Sequence, residues 1–255
     1  MTTPTATPAP QHPDEMEAGR RFQALDLFCK AGGASMGLYR TGFDVTGVDI
    51  EPQPRYPFRF IQADALTFDL SGFDFIWASP PCQAYSDMRV MSNARPSHPE
   101  LVEPIRERLT ASGLPWIIEN VEGAPLTVGP PSLFSKVNGV VLCGSMFGLF
   151  TDEYQLRRHR LFESNVWLTQ PACRHGSQPV VGFYGDHARI RRRANGTHRG
   201  TDIVGKELKM RLARELLGID WMDWGEISQA IPPAYGEFLG RQVMAHLETR
   251  AERAA

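Results

Sequence analysis

Short apolar runs bounded by turn residues recur along the chain and predict strands. Several runs are rich in Phe, Trp, Val and Ile, which favour strands. Runs this short and continuous are typical of a buried parallel sheet. The predicted strands cover residues 22–28, 43–49, 58–62, 73–77, 115–118 and 140–144, with a further strand near 155–162.

Helical periodicity appears between and after these strands. A glycine-bearing turn at residues 29–37 opens the first predicted helix. A second follows a capping-box sequence at 97–100 and ends at Gly113. A third carries Leu208, Leu212 and Leu216, and the last follows residues 231–233. The alternation of strands and helices predicts an α/β fold with a doubly wound sheet.

Composition narrows the class of protein. The chain has 255 residues, 42% of them hydrophobic, and a formal net charge of −2. This charge does not indicate a nucleic-acid partner, so any such partner must be held by local basic clusters. The four cysteines form no CxxC pair, which favours a reducing compartment. Without a membrane-length apolar stretch or an apolar signal core, we expect a cytoplasmic protein with no membrane partner.

The pattern divides the chain into four parts. Residues 1–20 are rich in Thr, Pro and Ala and predict a disordered tail. Residues 21–162 carry the predicted sheet, and residues 206–250 carry C-terminal helices. Between them, residues 163–205 have weak apolar periodicity and a crowd of arginines. This segment is either a solvated basic loop or a surface for phosphates. Its arginines are Arg189, Arg191, Arg192, Arg193 and Arg199.

Three successive strand ends carry groups that suit a nucleotide-type cofactor. Gly32 and Gly33 lie in a strand-to-helix turn, which presents backbone N–H groups to an anion. Asp49 follows the second strand, where a carboxylate can accept both hydroxyls of a ribose. Asp64 follows the third strand and could accept from an adenine amino group. Each feature alone has a structural explanation, as a turn glycine or a solvated turn aspartate, but the series is coherent.

Cys82 and Glu119 are the candidate reactive residues. Cys82 follows a buried strand and two prolines, which hold the sulfur at the strand end. Glu119 comes directly after four residues that begin the next strand, so burial could raise its pKa and favour proton donation. A structural cysteine and an ordinary strand-end acid are the alternatives.

A metal site receives little support from the sequence. Cys173-x-His175 is a possible ligand pair. No second pair lies at suitable spacing, however, so we expect no metal. Cys143 is interpreted as a core residue.

In combination, these motifs resemble those of the cytosine-C5 DNA methyltransferases. The resemblance runs from about Phe22 to Leu247, and the motifs occur in the order typical of that family. The matching segments are Asp26-Leu27-Phe28-x-x-x-Gly32-Gly33, Asp49, Asp64, Pro81-Cys82-Gln83, Glu119-Asn120-Val121, Arg158-x-Arg160 and Gln229-Ala230-Ile231-Pro232-Pro233.

The resemblance implies a Rossmann-like methyltransferase sheet with a short, irregular target-recognition lobe at residues 163–205. It implies S-adenosyl-L-methionine as cofactor and double-stranded DNA with a flipped cytosine as substrate. Cys82, Glu119, Arg158 and Arg160 would be catalytic. The implied cofactor-binding residues are Phe28, Lys30, Ala31, Gly32, Gly33, Asp49, Ile50, Asp64, Ala65, Pro80, Gln229 and Ala230.

The reaction implied by the resemblance begins when the Cys82 thiolate attacks C6 of an extruded cytosine. Glu119 would hydrogen-bond or protonate N3, and C5 would then accept the methyl group. A base removes the C5 proton before Cys82 is released. The sequence does not identify that base, for which water is one candidate.

The chain departs from the family pattern at several positions. Lys30 stands where glycine is usual, Gln229 replaces an asparagine, and an expected glutamine is Leu156, with Gln155 one place away. Lys30 could favour a carboxylated cofactor, or its side chain could simply face solvent.

Several alternatives remain at this point. The same scaffold could act on tRNA cytosine, and a non-enzymatic DNA-binding relic is a further alternative. We expect a monomer, with a cognate restriction enzyme as one conceivable partner.

Overall fold

The computed structural model describes residues 21–85, 99–131, 137–185, 187–191, 201–203 and 205–254. The predicted disordered tail at residues 1–20 lies outside this part of the chain. So do Arg192, Arg193 and Arg199 of the basic cluster.

A seven-stranded sheet forms the centre of the fold. Its strand order is β3-β2-β1-β4-β5-β8-β6. The first five strands in this order pair in parallel, and β8 runs antiparallel to both of its neighbours. β1 to β6 overlap the six strands expected from the apolar runs, and β8 overlaps the further strand expected near residues 155–162. The strands are β1 Gln23–Leu27, β2 Asp44–Asp49, β3 Arg59–Gln62, β4 Phe75–Ala78, β5 Trp116–Asn120, β6 Asn138–Leu142 and β8 Arg160–Ser164.

Helices cover both faces of this sheet. The side chains of β4 show why, since successive residues on a strand point to opposite faces. Phe75 and Trp77 belong to a core shared with α1 and α5, whereas Ile76 packs with α2 on the other face. The sheet is therefore doubly wound, as the sequence predicts. The helices are α1 Gly33–Arg40, α2 Val102–Ser112, α3 Lys206–Leu217, α4 Trp224–Ile227 and α5 Pro233–Ala254.

The predicted helix ends at glycines are confirmed, whereas the predicted helix start at the capping box is not. Gly113 and Gly218 close α2 and α3 in the left-handed conformation, which glycine adopts without steric cost. The predicted start of α2 at the capping box is wrong. The helix begins at Val102, and Leu101 occupies the N-cap position with no side-chain hydrogen bond. Ser97 lies outside the described residues.

A second, four-stranded sheet forms where the apolar pattern is weak. Its order is β11-β10-β9-β7. Val181 and Phe183 of this sheet share a buried cluster with Leu212 and Leu216 of α3. The sequence analysis did not predict these strands individually, and the boundaries of the recognition segment stay a prediction. The strands are β7 Gln155–Leu156, β9 Val180–Tyr184, β10 His187–Arg191 and β11 Thr201–Asp202.

Helix length and polarity also bear on membrane contact. Across the described residues, none of the helices is both long enough and apolar enough to cross a bilayer.

Candidate active site

The carboxyl ends of β1, β2, β4 and β5 meet at one edge of the large sheet. Backbone hydrogen bonds carry the register past the strand ends. Cys29 N donates to Val48 O at 3.1 Å, and Ser79 N donates to Leu27 O at 3.1 Å. Loops leaving neighbouring parallel strands are thereby held side by side, which is where ligands bind in open α/β sheets.

The loop after β1 has an unusual backbone. Gly32 has φ +82°, and Phe28 and Lys30 also adopt positive φ, at 61° and 45°. For residues with a Cβ, such a conformation costs roughly 1–2 kcal/mol each. Lys30 thus adopts a conformation suited to glycine, at a position where the family that this chain resembles usually has glycine. Strain of this kind, when the surrounding structure imposes it, is typical of ligand-binding loops.

Asp49 lies buried at the end of β2 and is already held in place. Its Oδ2 accepts from Lys30 N at 3.1 Å, and its Oδ1 accepts from Glu51 N at 3.0 Å. The Lys30 ammonium lies 4.0 Å from Asp49 and 2.9 Å from Glu51. The carboxylate therefore joins the glycine loop to the second strand, and its position follows from both.

The neighbouring residues expected at a cofactor differ in exposure. Ile50 is 66% exposed, which is unusual for a large apolar side chain, while Ala65 is buried. Asp64 is exposed, and its Oδ1 accepts from Leu66 N at 2.9 Å. These three residues flank the carboxyl ends of β2 and β3, so the structure brings them near Asp49 along one edge.

Asp26 and Tyr56 lie beneath the glycine loop. The Ser35 hydroxyl donates to Asp26, and it also lies 2.8 Å from the Tyr56 hydroxyl. Burial raises the pKa of Asp26 to about 7, with Asp49 and Glu119 adding electrostatic repulsion. Its Oδ1 has no hydrogen-bond partner among the described residues. The floor of the cleft therefore holds an acid that favours its protonated form or a nearby cation.

The segment before α5 returns to the glycine loop, as the resemblance implies. A Cβ added to Gly33 would lie 2.3 Å from Ile231 O, so only glycine allows this approach. Trp221 Nε1 donates to Ala31 O at 2.8 Å from the same side. Ala230 is buried, whereas Gln229 is exposed and donates to Gly225 O. The backbone of this motif is thus at the cleft, but the Gln229 amide contacts the preceding helix, α4.

The cysteine loop is tied to the strand that carries the glutamate. Asn120 Nδ2 donates to Pro80 O at 2.9 Å, and Tyr85 N donates to Cys82 O at 2.9 Å. Pro80 and Pro81 restrict the intervening backbone. Because β4 and β5 are neighbours in the sheet, these contacts place Cys82 beside the carboxyl end of β5.

Glu119 forms an ion pair with Arg160. Arg160 Nε lies 3.1 Å from its Oε1, and the Ser79 hydroxyl also hydrogen-bonds the carboxylate. Ser79 is itself oriented by Trp77 Nε1, which donates to its hydroxyl at 2.9 Å. Burial raises the pKa of Glu119, and Arg160 and Arg158 partly oppose that rise. A buried carboxyl with an elevated pKa is suited to carrying a proton to a substrate.

Cys82 is a thiol rather than a thiolate in this environment. Burial raises its pKa, and the charge of Glu119 adds to that effect, while Arg160 lowers the pKa. An ionised Glu119 therefore disfavours the Cys82 thiolate. Protonating Glu119, or placing a cation nearby, would favour the Cys82 thiolate.

The two arginines of the Arg-x-Arg segment have different surroundings. Arg158 is buried, and its Nη2 donates to Ser228 O at 2.8 Å. Its Nη1 lies 3.4 Å from Phe183 O, in the second sheet. Arg158 thus joins the second sheet to the segment before α5, and its charge also acts on Glu119. A catalytic role of Arg158 stays a prediction.

Gln155 does not substitute for the glutamine missing at Leu156. Its amide contacts the backbone of Gly176 and Gln178. Leu156 is buried in the cluster that the second sheet shares with α3. The Gln155 side chain therefore holds the segment at residues 176–178 and is not available at the position of Leu156.

Three residues that orient parts of the site were not predicted from the sequence. Tyr56, Ser79 and Trp221 orient, respectively, the loop floor, the Glu119 carboxylate and the Ala31 carbonyl. Tyr56 and Trp221 are far along the chain from their partners, so spacing could not identify them. Ser79 immediately precedes the two prolines, and that adjacency was the one available hint.

Comparison with known proteins rests on structure. No family model matches the chain, and no curated protein matches its sequence significantly. A solved protein described as a DNA modification methyltransferase encoded within an E. coli prophage superposes with a TM-score of 0.56 at 13% identity. That match covers 89% of this chain and 99% of the other.

Two eukaryotic structures are similar in the same way. S. pombe Dnmt2 methyltransferase matches with a TM-score of 0.53 at 11% identity, over 89% of this chain and 99% of its own. The Entamoeba histolytica methyltransferase EhMeth matches with a TM-score of 0.51 at 11% identity, over 91% and 99%. The chain therefore has the methyltransferase fold of these proteins, which confirms at the level of fold the resemblance to the cytosine-C5 DNA methyltransferases.

Proposed function

We propose that the protein transfers a methyl group from S-adenosyl-L-methionine to C5 of cytosine in double-stranded DNA. The main support is the pairing of two reactive groups at adjacent strand ends. Cys82 lies beside β5, and Glu119, at the end of β5, is oriented by Arg160 and Ser79. A nucleophilic sulfur next to a proton-bearing carboxyl is what addition to C6 of a cytosine requires.

The cleft suits S-adenosylmethionine in its charge. Asp26, Asp49 and Glu119 interact electrostatically, and one buried oxygen of Asp26 has no hydrogen-bond partner among the described residues. A ligand with a sulfonium cation would offset this accumulation of acids. Exposed Ile50 offers apolar surface for the adenine ring, and Asp49 lies where ribose hydroxyls can donate to it. S-adenosylmethionine, when bound, supplies the methyl group.

The residues of the chain carry the remaining steps. The target base must leave the stack, since its ring face is otherwise covered. Cys82 gives its proton to solvent water and its sulfur bonds to C6, while Glu119 donates a hydrogen bond or a proton to N3. Arg160 holds Glu119 in position at 3.1 Å. After C5 has gained the methyl group, loss of the C5 proton breaks the Cys82–C6 bond and frees the enzyme.

The transferred group is proposed to be an unmodified methyl. The Lys30 ammonium lies 2.9 Å from Glu51 and 4.0 Å from Asp49, so two acids of this chain already balance its charge. A carboxylated cofactor would have to compete with Glu51 for that ammonium. Since Lys30 and Glu51 are both largely exposed, the pair contributes little to stability.

Trapping with a fluorinated substrate tests the reaction. Fluorine at C5 cannot leave as a proton, so methyl transfer should leave the protein bonded to the base. A mixed library of duplex DNA with every cytosine replaced by 5-fluorocytosine, incubated with S-adenosylmethionine, should yield a complex that resists denaturation. The Cys82→Ala protein should yield none.

Two outcomes would change the proposal. Adduct formation by Cys82→Ala protein would exclude Cys82 as the nucleophile. Failure on DNA with success on fluorinated tRNA would assign the enzyme to tRNA instead. A folded Cys82→Ala protein, verified by circular dichroism, is needed for either conclusion.

A further inference from the structure

Two cysteines and two histidines come together behind the candidate active site. The Sγ atoms of Cys143 and Cys173 and ring nitrogens of His159 and His175 all lie within 4.8 Å of one another. The sequence argued against a metal because Cys173-x-His175 has no second pair at suitable spacing. The fold supplies the other two ligand residues from separate strands.

The chain positions these residues from three directions. Cys143 directly follows β6 and is fully buried, and His159 directly precedes β8. Cys173 and His175 lie in the segment between β8 and β9 and are exposed. That segment is attached on both sides of the pair. Val141 N donates to Gln170 Oε1 at 2.5 Å, and Gln155 Nε2 donates to Gly176 O at 2.9 Å.

Two of the three sulfur–nitrogen distances match those around a tetrahedral ion. Zn–S and Zn–N bonds of about 2.3 and 2.0 Å at a tetrahedral angle place sulfur and nitrogen about 3.5 Å apart. Cys143 Sγ lies 3.4 Å from His175 Nε2, and Cys173 Sγ lies 3.7 Å from His159 Nε2. The Cys173–His175 separation of 2.8 Å is shorter and would widen around an ion.

We propose that Cys143, His159, Cys173 and His175 bind one Zn²⁺ ion in a closed structural site. Two thiolates and two imidazoles in tetrahedral arrangement are a ligand set that Zn²⁺ prefers over Mg²⁺ or Ca²⁺, which take oxygen ligands. The four protein ligands leave no position for water, so the ion holds the structure together and does not take part in the chemistry.

Ser145 provides an outer contact for both sulfurs. Its hydroxyl lies 3.3 Å from Cys143 Sγ and 3.4 Å from Cys173 Sγ. Hydrogen bonds of this kind orient metal-binding groups and stabilise the charge of a thiolate. The exposed side of the cluster, formed by Cys173 and His175, leaves a path by which an ion can enter.

The proposed ion would also position the active site. His159 stands between Arg158 and Arg160, and Arg160 Nη1 donates to His159 O at 2.8 Å. Arg160 in turn contacts Glu119 at 3.1 Å. Fixing the His159 ring therefore restricts the backbone that presents Arg160. His159 acts here as a positioning residue as well as a ligand.

Metal content is the first test. Protein expressed with added zinc and purified under reducing conditions without chelators should contain one zinc per chain by mass spectrometry. The Cys173→Ser/His175→Gln double variant should contain less than a tenth as much. The matched control is Cys82→Ser/His246→Gln, which alters one cysteine and one histidine outside the cluster and should keep its zinc.

The control also separates the two proposals. Cys82→Ser removes the proposed nucleophile but leaves the zinc ligands intact. Loss of methyl transfer with full zinc content would support both assignments, whereas zinc loss in this control would assign the metal to Cys82 or His246 and overturn the proposed site.

Cobalt spectroscopy is the second test, and it does not depend on folding during expression. Chelator-treated wild type titrated with Co²⁺ should develop the visible bands of a tetrahedral, thiolate-bound ion, saturating at one equivalent. Cys173→Ser should lose the sulfur-to-cobalt charge-transfer absorption in proportion to one missing thiolate. Circular dichroism of the metal-free proteins provides the folding comparison.

Three further results would overturn the proposed zinc site. Wild type without zinc and without cobalt bands would refute the site, as would a double variant that holds as much zinc as wild type. A Cys143–Cys173 disulfide in wild type kept under reducing conditions would likewise overturn the proposal, since oxidised sulfurs cannot bind the ion.

Discussion

The two sheets of this protein are built on different kinds of information. β1, β4 and β5 of the large sheet are apolar runs, and their buried residues alternate between two helix-covered cores. The second sheet consists of short or weakly patterned strands, and its core depends on α3, which lies later in the chain. The first sheet carries the candidate reactive groups Cys82 and Glu119, and the second sheet contacts Arg158 through Phe183 O.

The comparison assigns different failures to the two regions. A change at a side chain that reaches the cleft at the edge of the large sheet should affect chemistry or ligand binding and leave the fold intact, whereas a change at Asp26, buried beneath that edge, should alter stability. A change in the buried cluster that the second sheet shares with α3 should lower the stability of the protein before it affects activity. The following substitutions test this division in order of expected effect.

Glu119→Gln should have the largest effect on activity. The amide cannot deliver a proton to N3, and it loses the charged partner of Arg160, so methyl transfer should fall by roughly 10²–10⁴-fold. Single-turnover rates on DNA measure this loss. Glu122→Gln, an exposed acid in the following turn, is the matched control and should retain wild-type rates. Equal rates in both variants would remove Glu119 from the chemistry.

Asp26→Asn should change how stability depends on pH. The pKa of Asp26 is raised from 3.8 to about 7, so the folded state retains a proton that the unfolded state releases. This group therefore costs stability as pH rises from about 4 to about 7, by roughly 4 kcal/mol at 1.36 kcal/mol per unit.

Urea unfolding at a series of pH values tests the Asp26 prediction. The stability of wild type relative to Asp26→Asn should fall across that window and then level off. A difference between the two proteins that is constant from pH 4 to pH 8 would contradict a raised pKa.

Leu212→Ala should destabilise the second region. Leu212 is buried in the core that α3 shares with β9, and truncating a buried leucine costs roughly 2–5 kcal/mol. Leu208 lies one turn earlier on α3 and is 39% exposed, so Leu208→Ala should cost much less. Thermal unfolding compares the two. Similar losses in both variants would mean that the cluster is not a packed core.

Asp49→Ala should weaken S-adenosylmethionine binding by roughly 1–3 kcal/mol, the scale of hydrogen bonds to a charged group. Calorimetric titration measures it. Asp44→Ala changes an exposed acid at the opposite end of the same strand and should bind as wild type does. If both proteins bind equally, Asp49 does not contact the cofactor.

Much of the large sheet and its strand ends could be predicted, because the sequence patterns that indicate them are local. Phe73 to Trp77 is an apolar run stopped by Pro80 and Pro81, and that suffices to place Cys82 at a strand end. The predicted start of α2 was wrong because capping-box sequences are common. In the folded chain, tertiary packing starts the helix at Val102 instead.

The second region could not be predicted to the same degree. β7 has two residues, and β11 has two, so neither presents a period that a sequence pattern can reveal. Such strands exist because long-range pairing and the α3 core stabilise them, and both form only after the chain has folded.

The sequence by itself determined the α/β class, the glycine loop, the strand-end acids and the order of the motifs, since each depends on residues near one another. Only the tertiary structure decided which side chains meet. It brought Trp221 to Ala31, Arg160 to Glu119, and Cys143 to His175. Contacts between distant residues depend on the path of the whole backbone, and apolar spacing along the chain carries no record of that path.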